Sequence, residues 1–164
     1  MTLKKVISGG QTGVDQIGLK CALDNGIKTG GYISKFFMTE DGNMPHLGEL
    51  YNIIEIDSTN YPDRTKMNVT MSDGTVLFGN MSSAGSKLTI NCAHQIHKSY
   101  ICNPTDDQLI KFIEDNKIEI LNVAGNRKSK LTPSMEYDIK SVLNSTFRKL
   151  SELKTKYTLV CHSV

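Results

Sequence analysis

The chain has 164 residues, with 19 basic and 17 acidic side chains and a formal net charge of +2. This length suffices for a hydrophobic core, and no Pro/Gly/Ser-rich linker divides it, so we expect one domain over residues 1–164. The balanced charge argues against nucleic-acid binding, and the lack of a long apolar run or signal peptide predicts a cytoplasmic protein with no membrane partner.

The first predicted strand, at residues 4–8, leads through a glycine-rich turn into a helix that begins near Val14. Glycines let the backbone bend tightly and approach a ligand, while the helix start offers unpaired amides and the positive end of its dipole. Phosphate or another oxyanion suits such a turn, which is neither a P-loop nor a Gly-x-Gly-x-x-Gly motif. From this turn we expect ligand contacts by Gly9, Gly10, Gln11, Thr12 and Gly13.

A second strand is predicted at residues 27–33, followed by a long loop over 34–57 with little periodicity. Long ordered loops in compact domains are often functional. A helix over 61–71 then precedes a buried strand at 75–78. A small-residue turn over 79–87 leads into another helix, so the strand–turn–helix pattern of the N-terminus recurs.

The C-terminal half continues the alternation, with strands at residues 99–102 and 119–123 separated by a helix. The second of these strands ends in a small-residue turn over 124–129. A long amphipathic helix from Pro133 to about Lys154 follows, and we place a last strand at 157–161. This alternation predicts the α/β class: a single Rossmann-like three-layer domain, with a mostly parallel sheet and helices on both faces.

Three small-residue turns thus follow predicted strand ends, at residues 8–13, 79–87 and 123–129. In parallel sheets ligands bind beyond the carboxyl ends of the strands, at a switch in strand order. We therefore expect the three turns to form one cradle for a phosphate-type ligand. From the second and third turns we expect contacts by Ser82, Ser83, Ala84, Gly85, Ser86, Gly125 and Asn126.

Charged side chains flank the predicted cradle. Lys35, Lys87 and Arg127 are the cations that can pair with an anionic ligand. Asp15 lies in the first helical turn, where it either contacts the ligand or stabilises the helix dipole. The acid pair 40–41 on the long loop is the nearest candidate for acid/base chemistry, although loop acids are usually only solvated. A side chain at Gly10 is expected to block the ligand and leave the fold intact.

No metal motif is evident. His94 and His97 are three residues apart on a predicted helix but have no third ligand nearby, so we expect no protein-ligated metal. The four cysteines are widely spaced without a Cys-x-x-Cys pair, which favours buried free thiols: Cys21, Cys92, Cys102 and Cys161.

Several segments together form a signature: Ser8-Gly-Gly-Gln-Thr-Gly-Val-Asp15, Thr29-Gly-Gly-Tyr32, Glu40-Asp-Gly-Asn-Met-Pro45, Arg64-Thr65, Asn68-Val69, Ser72-Asp-Gly-Thr-Val-Leu-Phe78 and Leu121-Asn-Val-Ala-Gly125 with Arg127 and Ser129. From about residue 5 to 143 the chain resembles the molybdenum-cofactor carrier family. That family belongs to a Rossmann-like group that binds nucleotides or nucleotide-like ligands and includes the lonely-guy phosphoribohydrolases. The resemblance implies a cytosolic, oligomeric protein that holds the phosphate-bearing pterin of molybdenum cofactor.

The chain departs from the family pattern at the ligand edge. It has Gln16 where the family usually has arginine, Asn126 where it has proline, and Ser86 where it has threonine. Thr89 stands where the phosphoribohydrolases carry a glutamate, so the acid or base of that reaction is not at its family position.

These features predict a noncatalytic protein that carries or sequesters a phosphorylated small molecule, with molybdenum cofactor or a nucleotide as the bound ligand. A nucleotide-processing enzyme of the phosphoribohydrolase type remains an alternative, as does a sponge that captures a nucleotide signal. The apolar loop residues Phe36, Phe37 and Met38 and the family resemblance predict a homo-oligomer, although these side chains can equally cover the chain's own core.

Overall fold

The computed structural model describes residues 3–161, with the side chains of all of these except residues 154 and 156–161. The strands, in chain order, are β1 (Lys5–Ile7), β2 (Lys28–Ile33), β3 (Met38–Thr39), β4 (Gly42–Asn43), β5 (Ile53–Glu55), β6 (Gly74–Phe78), β7 (Ser99–Cys102) and β8 (Ile120–Gly125). The helices are α1 (Val14–Asp24), α2 (His46–Tyr51), α3 (Tyr61–Met71), α4 (Ala84–Gln95), α5 (Asp106–Asp115) and α6 (Pro133–Cys161), with 3-10 turns at Lys35–Phe37 and Lys128–Lys130.

Six strands form one parallel sheet in the order β5-β2-β1-β8-β6-β7, and β3 and β4 form a separate antiparallel hairpin. Helices α1, α5 and α6 pack together on one face, while α3 and α4 pack together on the other. This architecture confirms the predicted α/β Rossmann-like three-layer domain. None of the described helices combines the length and the apolar character that a bilayer-spanning segment requires.

The sheet has the strand arrangement of a doubly wound fold, but its strands follow one another along the chain in a different order. If β8 and α6 were placed before β1, the strands from β8 outward would run consecutively through β1 and β2 to β5 on one side and through β6 to β7 on the other. The strand order therefore switches around β8, between β1 and β6. Ligand sites of open α/β sheets lie at such a switch, beyond the carboxyl ends of the strands.

The main core lies between the sheet and the helices α1, α5 and α6. Its central side chains include Val123 of β8 and Leu143 and Phe147 of α6, all fully buried. Close contact between α1 and β8 depends on Gly18, because a Cβ there would lie 2.5 Å from the Val123 side chain. The tight packing of α1 on β8 holds the turn before α1 beside the end of β8.

Two predictions of local structure are wrong. Residues 157–161 continue α6 instead of forming a last strand. The sequence has no turn signal before residue 157, so the helix continues. Residues 34–57 are also less irregular than predicted, since they contain the β3–β4 hairpin, α2 and the edge strand β5.

Candidate functional site

The three glycine-rich turns lie side by side because they follow β1, β8 and β6, which are neighbours in the sheet. The first and third turns touch at Gly13, where a Cβ would lie 2.5 Å from the Asn126 carbonyl oxygen and 2.5 Å from the Lys128 amide nitrogen. The amide of Val14 donates to the same carbonyl oxygen at 3.1 Å. Gly13 therefore permits a backbone approach that any side chain would prevent.

Asn126 joins the third turn to the second. Its Oδ1 accepts a hydrogen bond from the Asn80 amide, and its Nδ2 donates to Ser83 Oγ at 3.1 Å. Ser83 in turn caps α4, since its Oγ accepts from the Ser86 amide at 3.2 Å. The asparagine thus makes two side-chain hydrogen bonds that a proline at this position could not make.

The β3–β4 hairpin is fastened to the turns by Glu40. Its carboxylate accepts from Thr12 Oγ1 at 2.5 Å, from the Ser129 amide at 3.0 Å and from Ser129 Oγ at 2.5 Å. Its own amide donates to Gln11 Oε1 at 2.9 Å. Burial raises the pKa of Glu40, but the hydrogen bonds from Ser129 and Thr12 outweigh it and hold the pKa below its usual range. Glu40 therefore holds the hairpin against the first and third turns, and its carboxylate is a poor proton donor near neutral pH.

A cavity of about 400 Å³ opens beside the second and third turns. Tyr61, Pro62 and Leu88 give it an apolar wall, and Arg64, Arg127 and Lys130 give it cations. The start of α4 completes the lining with Ser83, Ala84 and Gly85, while Gln11, Thr65, Gly125 and Asn126 contribute the remainder. A Cβ on Gly85 would meet no atom within 4 Å, so the first turn of α4 faces open space. Unpaired amides and the helix dipole favour an anion there.

A smaller recess of about 60 Å³ adjoins this cavity. The two spaces share four lining residues: Arg64, Thr65, Gly85 and Gly125. The carboxyl group of Asp15 lines the recess, and burial raises the pKa of this group to about 6 although the Arg64 guanidinium and the Gln11 amide lower it. Arg64 is itself buried and donates from Nη1 to the Gly9 carbonyl oxygen at 3.3 Å. Its guanidinium lies 5.0 Å from the centre of the Tyr61 ring.

The structure brings together nine of the residues predicted from the sequence. Seven line the cavity: Gln11, Ser83, Ala84, Gly85, Gly125, Asn126 and Arg127. Gly9 and Asp15 line the recess, together with Gly85 and Gly125. Thr12 and Gly13 connect the turns to each other and to the hairpin.

The other predicted residues lie outside these spaces. Lys35 pairs with Asp57 at 2.6 Å, beyond the end of β2. Lys87 is exposed on α4, and Ser86 is buried at the N-terminal end of the same helix. The amide of Ser82 donates to Asn80 Oδ1 within its own turn.

The prediction that a side chain at Gly10 would block the ligand and leave the fold intact is wrong. Its φ is +71°, and a Cβ there would lie 2.9 Å from Ile33 Cδ1 and 3.1 Å from Ile53 Cδ1. Those isoleucines belong to a hydrophobic cluster between α1, α2 and the sheet. A side chain at this position would enter the core and not the space beside the turns.

The sequence reasoning did not assign Tyr61, Arg64, Lys130 or Asn122 to the site. Arg64 occurs in the family signature, but its burial depends on how α3 packs on the sheet and could not be predicted from the neighbouring residues. The signal for Asn122 was present, because an amide in the apolar run of β8 is unusual for a buried parallel strand.

The histidine pair gives no support for a metal site. His94 Nε2 lies 2.9 Å from the Tyr100 hydroxyl, and the two rings meet edge to face. Among the side chains that the structure describes, which do not include that of Cys161, no three potential metal ligands of the His, Cys, Asp and Glu types come together.

A permuted parallel sheet with glycine-rich turns at its switch point defines a Rossmann-like ligand-binding domain. The chain belongs to the circularly permutated YpsA SLOG family, cpYpsA, which matches residues 6–147. The chain is also similar to a candidate molybdenum carrier protein from Syntrophus aciditrophicus, whose crystal structure superposes on it with a TM-score of 0.76. The two sequences are 31% identical, and the alignment covers 89% of this chain and 95% of the Syntrophus chain. These matches confirm the predicted family.

Two further comparisons add nothing to this assignment. The structure of (E)-4-hydroxy-3-methyl-but-2-enyl diphosphate reductase aligns with 87% of this chain and 59% of its own, at 11% identity and a TM-score of 0.38, which is too weak to carry an argument. No curated protein is significantly similar to the chain.

Proposed function

We propose that the protein binds an anionic small molecule in the cavity beside α4 and carries or sequesters it without chemical change. The observation that carries this proposal is the convergence of the α4 N-terminus, Arg127 and Lys130 on a cavity with an apolar wall. An anion at one end and a flat ring at the other would suit both parts of the lining. The relative from Syntrophus, described as a candidate molybdenum carrier, makes molybdenum cofactor the first ligand to test and a nucleotide the second.

The absence of chemistry is part of the proposal. Thr89 replaces the glutamate of the phosphoribohydrolases, and its Oγ1 donates to the Gly85 carbonyl oxygen at 3.0 Å within α4. Glu40 holds the hairpin, and its lowered pKa makes it a weak acid catalyst. Backbone amides and two cations can bind an anion without acting on it.

One observation keeps the phosphoribohydrolase-like alternative open. The carboxyl group of Asp15 lines the recess, and its pKa of about 6 would allow proton transfer near neutral pH. Incubation with nucleoside monophosphates and NAD, followed by chromatography for free base and ribose phosphate, separates the two functions. We expect no product above the blank. Release of base that is lost in Asp15→Asn would replace the carrier proposal with the enzyme.

Native mass spectrometry of the protein purified from its own host tests the ligand directly. We expect a bound mass that matches molybdenum cofactor or a nucleotide and that is recovered unchanged after denaturation. Titration calorimetry with the identified compound then tests the site. Arg127→Gln and Lys130→Gln should each weaken binding about tenfold, because each removes a cation from the cavity.

Lys87→Gln is the matched control for these variants, since Lys87 is an exposed cation on α4 outside the cavity lining. It should bind as the wild type does at the same ionic strength. Equal weakening by all three substitutions would indicate only a general charge effect and would contradict the proposed site.

We further propose that the protein acts in the cytoplasm as a homo-oligomer. Cys21, Cys92 and Cys102 are free thiols, as is usual in a reducing compartment. Phe37 packs against the chain's own core, whereas Phe36 is 56% exposed and Ile54 on the edge strand β5 is 58% exposed. Exposed apolar groups of this size favour a subunit contact.

A further inference from the structure

Two residues that line the recess each have one buried polar atom without a hydrogen-bond partner among the residues that the structure describes. Arg64 is 9% exposed and Asn122 is 2% exposed, and both line the recess. Neither Arg64 Nε nor Asn122 Oδ1 has a hydrogen-bond partner within the described part of the chain. Buried polar atoms are nearly always satisfied, so a donor and an acceptor that both border one small space indicate a group that binds there.

Gly9 explains why this space exists. A Cβ on Gly9 would lie 2.8 Å from Asp15 Oδ2 and 2.9 Å from Arg64 Nε, so the carboxyl group and the guanidinium approach the same point above the glycine. Asn122 stands beside it on β8, where it pairs in register with Ile7 of β1. The recess is therefore lined by β8, the turn after β1 and the start of α1, with α3 and α4 on its other side.

The recess offers a mixed set of hydrogen-bonding groups. Arg64 Nε donates, Asn122 Oδ1 accepts, and the Asp15 carboxyl group mainly accepts. A fully ionised phosphate group has only acceptor oxygens, so it would leave Asn122 Oδ1 unsatisfied and would be repelled by an ionised Asp15. A neutral group that carries both a donor and an acceptor would satisfy Arg64 and Asn122 together.

We infer that the recess is a second subsite of the cavity and takes a neutral donor–acceptor group of the ligand, while the anionic group lies at the start of α4 near Arg127 and Lys130. This inference rests on the proposed function. A ring lactam and a sugar hydroxyl both have the required chemistry. Arg64, Thr65 and Gly85 line both spaces, so a ligand that occupies the cavity can extend into the recess.

Four probes test the inference by calorimetry on the wild-type protein: guanosine monophosphate, its 2-aminopurine analogue that lacks the ring lactam, deoxyguanosine monophosphate that lacks the 2′-hydroxyl, and inorganic pyrophosphate. We expect the loss of one of these two groups, and not of the other, to weaken binding by about tenfold or more. The group whose loss matters identifies the occupant of the recess.

Gly9→Ala provides the structural test. Gly9 lies outside the positive-φ region, so alanine suits its backbone, and its methyl group would enter the recess and push the ends of the Asp15 and Arg64 side chains aside. It should lower the affinity for guanosine monophosphate to that of the analogue lacking the occupying group, and leave the affinity for pyrophosphate unchanged. Equal affinity of the wild type for all three nucleotides would overturn the inference and leave the anion site standing. If neither pyrophosphate nor any nucleotide binds, the recess inference fails, whereas the proposed function fails only if native mass spectrometry also finds no bound molybdenum cofactor.

Discussion

Asp15→Asn tests the electrostatics of the site independently of any ligand. Asp15 is 7% exposed, and burial raises the pKa of its carboxyl group from the ordinary 3.8 to about 6, although Arg64 and the Gln11 amide lower it. Between these two pKa values the folded protein holds a proton that the unfolded chain has released. The contribution of Asp15 to the free energy of unfolding is therefore intact below about pH 4 and declines as the pH rises to about 6.

The size of this effect follows from the shift. A rise from 3.8 to about 6 corresponds, at about 1.4 kcal/mol per pKa unit, to about 3 kcal/mol lost above the folded-state pKa. About 2 kcal/mol of this falls between roughly pH 4.5 and 7.5. Asparagine is neutral throughout and its Oδ1 can still accept from the Gln11 amide, which now lies 3.2 Å from the carboxylate. The variant should gain about 2 kcal/mol over the wild type across that interval.

Urea denaturation followed by circular dichroism measures this difference, because the chain has no tryptophan for fluorescence. Asp57→Asn is the control of opposite sign, since Asp57 is an exposed carboxylate whose pKa is lowered by its hydrogen bond and ion pair with Lys35. Its variant should lose stability relative to the wild type as the pH rises. A difference between Asp15→Asn and the wild type that does not change with pH would refute the reasoning.

Three further predictions concern the fold, the hairpin and the oligomeric state. Gly10→Val should lower the thermal midpoint by several degrees or prevent folding, because valine at φ +71° would be strained and would overlap Ile33, and a melting curve equal to that of the wild type would contradict this. Glu40→Gln should speed amide hydrogen exchange in residues 38–43 and leave the exchange of α5 unchanged, because a neutral amide replaces a carboxylate that accepts three hydrogen bonds. Light scattering at micromolar concentration should report a homo-oligomer, and Phe36→Ser should weaken the association of its subunits. A monomer in the wild-type protein would contradict the proposed homo-oligomer.

Much of the fold could be predicted because the signals are local. Apolar runs bounded by glycines gave the central strands, and helical periodicity gave α1, α4 and α6. The position of β8 between β1 and β6 could not be predicted, since it depends on pairing between distant segments. The edge strand β5 was missed because it has only three residues, two of them exposed, and so has no alternating pattern.

The site was predictable where backbone chemistry defines it and unpredictable where tertiary packing does. Glycines and serines after strand ends located the turns, whereas the cations were assigned only by nearness in sequence. Lys35 follows β2 but pairs with Asp57, while Lys130 reaches the cavity from the 3-10 turn after β8. Arg64 lies on α3, which packs against α4 and against β2 and β8 of the sheet. Its place beside Gly9 follows from this packing.

The glycines of the first turn serve different purposes, and this limits what the motif says about the ligand. Gly10 is required by the hydrophobic core, and Gly13 is required by the third turn. Of these three glycines, Gly9 alone lines the recess of the candidate site. The motif therefore specifies mainly a scaffold in which three turns can meet. If the proposed function is correct, side chains outside the turn distinguish a pterin from a nucleotide, and Arg64 is placed to contribute because it borders both the cavity and the recess.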